Sequence, residues 1–252
     1  MRRIFAIASR ELDAYFATAI GWLSLGGFIG LTGFIFAWIV TAYADQAAQS
    51  MGYGGGLNVN EHLLPDFFGT TAVILLLLMP AQSMRLFSED MKQRSMELLL
   101  SSPLSSLEIV LGKYLGAVAF LAIMLLGTSH YMVILWWLTS PDLMIILANY
   151  AGTFLMASAF LAVGMLTSAM TKSQLTALVG SFGFLLLLWF LSGIGSLASG
   201  TTGEVLSYIS VLSHLEELSR GLLHTRDVVY YLTFIGFFLF ATLQRVEAMR
   251  WQ

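Results

Sequence analysis

The 252-residue chain contains no cysteine, which excludes disulfides, thiolate metal ligands and cysteine nucleophiles together. Charge is also scarce. Only 11% of residues are charged while 58% are hydrophobic, outside the usual soluble range, so the length counts membrane spans and not soluble domains. The few charges are clustered, leaving several charge-free windows longer than the roughly 20 apolar residues a helix needs to cross about 30 Å of hydrocarbon. A net charge of −3, divided between two aqueous faces, carries no signal for nucleic acid. His62, His130, His214 and His224 share no spacing that brings ligands onto one helix face, so no metal site is expected. No Asp, Glu, Lys or Arg falls in the middle of an expected span, which argues against ion-coupled transport. Gly-x-x-x-x-Gly-Lys-Ser/Thr is missing, so any ATP must be bound by another chain. Glu11 and Asp13 interrupt the run after Arg2 and Arg3, and no small-residue cleavage site follows a short apolar core. A removable signal peptide is therefore not expected.

What is present predicts an all-α polytopic membrane protein, one transmembrane domain over residues 1–252 with six transmembrane helices. Residues 2–16 place Ile4, Phe5, Ala8, Leu12, Tyr15 and Phe16 on one arc, with Arg2, Arg3, Ser9, Arg10 and Asp13 opposite. Two readings fit that pattern: a helix lying in the membrane interface, or the frayed start of the first span. Spans are expected over 16–40, 67–84, 114–139, 143–170, 175–197 and 228–243. Gly26, Gly30 and Gly33 offer the first span a small-residue face suited to close helix packing. Residues 41–66 form a glycine-rich polar loop, and Ser140-Pro141-Asp142 makes a tight hairpin. Within the third span, His130 is expected to be neutral and hydrogen-bonded to an adjacent helix.

Basic residues set the orientation, because cytoplasmic flanks retain them. With the N-terminus inside, Arg2, Arg3, Arg10, Arg85, Lys92, Arg94, Lys113, Lys172, Arg245 and Arg250 share one face, leaving only Arg220 and Arg226 outside. Both termini are thus expected in the cytoplasm. Segment 198–227 is then extracytoplasmic. Its Leu206, Ile209, Leu212, Leu215 and Leu218 recur at helical spacing, as in a re-entrant or surface helix pair capping the outer end of a pathway; a plain loop helix is the alternative.

The most informative stretch is 85–113, between the second and third spans. Pro103 cannot sit inside a helix, and Ser105 with Glu108 forms a capping box, so a new helix should start near Ser105. Residues 89–100 then form a short separate surface helix. Met96, Leu98, Leu99 and Leu100 lie beside charges there, either as a lever that seats in a partner's groove or packed back on the bundle.

From Phe87 to Lys113 this stretch resembles the signature of ABC-2-type permeases: an acidic residue, a polar spacer, Glu97-Leu98-Leu99-Leu100, a Ser-Pro turn and a closing Gly112-Lys113. The order of elements along nearly the whole chain is similar as well. Residues 213–231, from Ser213-His214 through Arg226-Asp227 to Tyr230-Tyr231, look like the gliding-motility permease branch. One departure is Arg94-Ser95-Met96, where many relatives carry Gly-Thr before the Glu-Leu-Leu run.

The resemblance implies that 85–113 contains a cytoplasmic coupling helix. Its ATPase-coupling residues would be Glu89, Arg94, Ser95, Met96, Glu97, Leu98, Leu99, Leu100 and Pro103. It also implies a permease subunit without catalytic residues, set in the bacterial cytoplasmic membrane and working as an exporter. Two copies of a cytoplasmic ABC ATPase would hold the ATP and Mg, this chain binding no cofactor itself. A second permease half, the same chain or a sister subunit, would complete the complex, with an extracytoplasmic or membrane-anchored accessory protein as a further candidate partner. Within that architecture, force transmission to an outer partner without substrate passage is the rival reading. An intramembrane lipid-modifying enzyme is the rival from another class, for which paired acids or histidines at the membrane boundary would be expected.

Overall fold

A computed structural model of the chain describes residues 2–51, 59–60, 62–96, 99, 104–139, 141–197, 200–219 and 224–250. Among them there is no strand. The helices are α1 (Arg2–Ala17), α2 (Ala19–Met51), α3 (Leu63–Ser83), α4 (Arg85–Lys92), α5 (Ser106–Gly127), α6 (Ser129–Leu138), α7 (Leu143–Met170), α8 (Gln174–Leu197), α9 (Thr201–Ile209), α10 (Val211–Ser219) and α11 (Thr225–Arg250). Six apolar stretches are long enough to cross a membrane: Ala19–Ala48, Leu63–Lys92, Ser106–Leu138, Leu143–Met170, Gln174–Gly195 and Thr225–Arg250.

The centre of the bundle is α7, against which α3, α4, α5, α8, α10 and α11 all pack. Its sequence allows this, because Ala157, Ala159, Ala162 and Gly164 are small enough for neighbours on several sides, and Met156 to Met165 are buried without a break. At Gly164 the approach is closest: an added Cβ would collide with the Ser83 side chain of α3. Local signals set the helix ends. Asp142 caps α7 by accepting the Met144 amide at 2.8 Å, and Ser105 and Glu108 complete the expected capping box at the start of α5. Pro80 lies inside α3 and removes one backbone donor; a turn later, the chain breaks at Met84 before α4.

Two apolar cores result. The larger joins α1, α2, α3, α4, α5, α7, α8, α10 and α11 around Phe87, Phe120, Phe160 and Tyr231. The smaller lies at the other end, where Phe36, Phe67, Phe68 and Tyr131 meet.

Four expectations need correction. The loop expected over 41–66 begins late, because α2 continues as helix through 41–51. Residues 89–100 do not form one helix: α4 ends at Lys92, Gln93 and Arg94 turn with Arg94 at φ 58°, and helix resumes at Ser95 and Met96. Gly26 and Gly30 face nothing within 4 Å in this chain, so only Gly33, against Tyr131, is in a close contact. Gly26 and Gly30 therefore do not bring an intrachain helix close, whereas Gly33 does. His130 is exposed, and its Nδ1 lies 2.6 Å from the Gly127 carbonyl one turn back, so its partner is its own chain segment and not an adjacent helix.

Candidate functional site

Lys113, near the end of the second turn of α5, is 2% exposed. The residues flanking it explain why it is buried. Gly112 and Gly116 have no side chain, so α1 lies directly on this face of α5; an added Cβ would stand 2.6 Å from the Ile7 Cβ at Gly112 and 2.6 Å from the Glu11 Cβ at Gly116. That approach brings Glu11 to the ammonium. Lys113 Nζ lies 2.7 Å from Glu11 Oε1 and 2.8 Å from Asp90 Oδ2, with the Phe87 ring centroid at 5.5 Å. One cation thus joins α1, α4 and α5. A buried ammonium is tolerable only with such partners.

The same acid shapes the turn after α4. Ser95 Oγ donates to Asp90 Oδ1 at 2.9 Å, folding the chain back across Gln93 and Arg94. Glu89 accepts from Gln93 Nε2 at 3.1 Å. At the start of α4 the Ser168 hydroxyl of α7 is the anchor: it accepts from the Phe87 and Ser88 amides, each at 3.0 Å, and donates to the Met84 carbonyl at 2.7 Å. Tyr15 of α1 closes the group, donating to the Gln82 carbonyl at 3.2 Å and stacking on Phe120, with the Arg85 guanidinium over its ring at 4.2 Å. Burial pushes the Tyr15 phenol well above its usual range, against the opposing pull of Arg85, so it remains a neutral donor. Arg250, at the end of α11, donates to the Leu104 carbonyl at 2.7 Å and holds the far end of the segment.

Among the described residues the arrangement consists of hydrogen-bond donors, acceptors and one buried cation. It fixes a surface segment to three helices at once.

A family model described as ABC-2 family transporter protein matches residues 17–244. The chain belongs to that family. Comparison with curated proteins gave no match. As an ABC-2 permease it is a transmembrane, non-catalytic subunit of an ABC transporter, a class that works with an ABC ATPase.

Within this ABC-2 permease the expected coupling residues fall into groups. Glu89 and Ser95 are half-buried, Arg94 is exposed, and Met96 is buried in the larger core, with Leu99 packed against that core. Met96 and Leu99 therefore pack back on the bundle. Glu97, Leu98, Leu100 and Pro103 lie outside the described residues. Of segment 198–227, Leu215 is buried in the core, Leu206 and Leu212 are half-buried, and Ile209 is exposed; the Leu218 side chain lies outside the described residues.

Sequence reasoning missed two polar pairings. The first is the junction of Glu11, Asp90 and Lys113, which are far apart in the chain. Its one usable signal was the Gly112-x-x-x-Gly116 spacing, which repeats that of Gly26 and Gly30 but has a partner helix. Beside Lys113, the Tyr114 hydroxyl donates to the Ser158 carbonyl at 3.0 Å and ties α5 to the central α7. The second pairing is His214 with Asp227, both buried, with His214 Nδ1 2.6 Å from Asp227 Oδ1 and Nε2 2.9 Å from the Tyr208 carbonyl. Tyr230 stacks on the His214 ring at 4.0 Å, so α10 is clasped to the first turns of α11. A thirteen-residue separation gives no periodic signal for it.

Proposed function

We propose that this ABC-2 permease passes motion from a cytoplasmic ABC ATPase into its membrane helices through residues 85–104. The observation that carries the reading is the Lys113 ammonium held between Glu11 and Asp90. A displacement of α4 by a docked ATPase would be felt by α1 and α5 together, because the ion pairs and the Gly112 and Gly116 contacts leave little slack. ATP and Mg reside on the ATPase, taken as two copies, and a second permease half completes the pathway. The gathering of basic residues on one set of helix flanks supports a cytoplasmic location for both termini and a bacterial cytoplasmic membrane as the site of action. Export is the direction this reading assigns.

The absence of cysteine makes a direct test possible. Arg94→Cys, at an exposed turn, should cross-link to the co-expressed ATPase, whereas Trp137→Cys, exposed near the other end, should not. Equal cross-linking at both positions, or none at Arg94, would remove the docking assignment.

Force transmission to an outer partner without substrate passage is the second reading, favoured by the His214–Asp227 clasp, which makes α10 and α11 a firm surface. It predicts ATP-dependent cross-linking of segment 198–227 to an accessory protein in a complex that moves no solute into vesicles.

A further inference from the structure

At the end of the bundle that holds α4, two lysines meet at one cavity. Lys92 ends α4 and Lys172 lies in the turn between α7 and α8, and both line one cavity of about 440 Å³ with Ser173, Gln174 and Leu175. Their meeting follows from the Ser168 anchor. Lys92 is four residues beyond Ser88 and Lys172 four beyond Ser168, so two stretches of chain fastened at one hydroxyl open into the cavity one turn later.

Three other cations are paired with carboxylates: Lys113 with Glu11 and Asp90, Arg10 with Glu11, and Arg3 with Glu108. Among the described residues, Lys92 and Lys172 have no carboxylate within ion-pairing distance. Two exposed ammonium groups around one cavity repel each other unless an anion lies between them. The cavity also receives the start of α8. Ser173 Oγ accepts the Thr176 amide at 3.4 Å, and the Gln174 and Leu175 amides, in the first turn, have no acceptor inside the helix.

The occupant follows from the rest of α8. Gln174–Gly195 is long and apolar enough to cross a membrane and is mostly uncovered by this chain, with Leu175 70% and Val179 61% exposed. The cavity therefore sits where an apolar outer helix face begins, at headgroup level. A phosphate there would meet both lysines while its acyl chains ran along α8. We propose that this cavity binds the headgroup phosphate of an anionic phospholipid. Because Lys92 ends α4, a bound lipid would also steady the segment assigned to ATPase docking, although the binding itself does not rest on that assignment.

The test is native mass spectrometry of the full chain in mild detergent with phosphatidylglycerol or phosphatidylcholine. The wild type should retain phosphatidylglycerol preferentially, and K92Q/K172Q should lose roughly 10- to 30-fold in affinity for it, the effect expected of two basic residues at an anionic lipid. R2Q/R245Q, which removes as much charge elsewhere, should keep the preference. Thermal unfolding of each variant shows that the fold is intact. Equal retention of the two lipids, or an unchanged K92Q/K172Q, overturns the proposal. Full displacement of phosphatidylglycerol by excess inorganic phosphate would make this a free-anion site and overturn the lipid assignment. Loss of ATPase co-purification by K92Q/K172Q without lipid would identify a protein-docking surface and overturn it as well.

Discussion

Removing the Lys113 charge with Lys113→Met keeps most of the side-chain length but leaves Glu11, whose remaining cation is Arg10 at 3.4 Å, and Asp90 without the ammonium that both of them contact. Breaking a buried ion pair from one side costs about 3–5 kcal/mol. Here the carboxylates keep some contact with solvent, Glu11 being 13% and Asp90 20% exposed against 2% for Lys113, which places the cost near the lower end, about 3 kcal/mol. For a chain of this size that corresponds to a fall in Tm of roughly 6–12 °C. Thermal unfolding of the purified chain in one detergent measures it, and the triple variant E11Q/D90N/K113M provides the control. With no buried charge left to orphan, the triple variant should recover at least about 2 kcal/mol of the loss. A Lys113→Met protein melting within about 2 °C of wild type, or a triple variant no more stable than the single one, would refute the reasoning.

Gly112→Ala should destabilise by about 1–3 kcal/mol, because the new methyl meets Ile7 at 2.6 Å, and it should speed proteolysis of α1; Gly26→Ala, facing open space, should leave the melting temperature within about 1 °C. Arg94→Gly should stabilise by roughly 0.5–1 kcal/mol, since the residue sits at φ 58°, and Arg94→Val should do the opposite; chemical denaturation distinguishes the two. Ser168→Ala removes the side-chain acceptor of the Phe87 and Ser88 amides and should cost about 1–3 kcal/mol, with faster hydrogen exchange centred on the Phe87 amide.

The six apolar helices were legible because a membrane span is a local property of composition and length. The cap at Ser105 and Glu108 was legible for the same reason, its partners being three residues apart. The charged junction was not. Glu11 and Lys113 are separated by 102 positions, and nothing in either neighbourhood says which acid will meet which base. The small-residue spacing at Gly112 and Gly116 was present in the sequence, but the same spacing at Gly26 and Gly30 faces no helix of this chain, so spacing alone does not name a partner. The turn at Arg94 escaped notice because it lacks the glycine that usually marks a left-handed position; the Ser95 to Asp90 hydrogen bond holds it instead.

The junction between α3 and α4 is held by a side chain of its neighbour. With a single oxygen Ser168 bonds the Met84 carbonyl at the junction and the Phe87 and Ser88 amides in the first turn of α4, so a displacement of α4 strains the three bonds as a set. Either the lower end of α7 travels with it, or all three bonds part together. One hydroxyl of α7 is thus shared by three main-chain groups of the α3–α4 junction, and losing it releases all three at once.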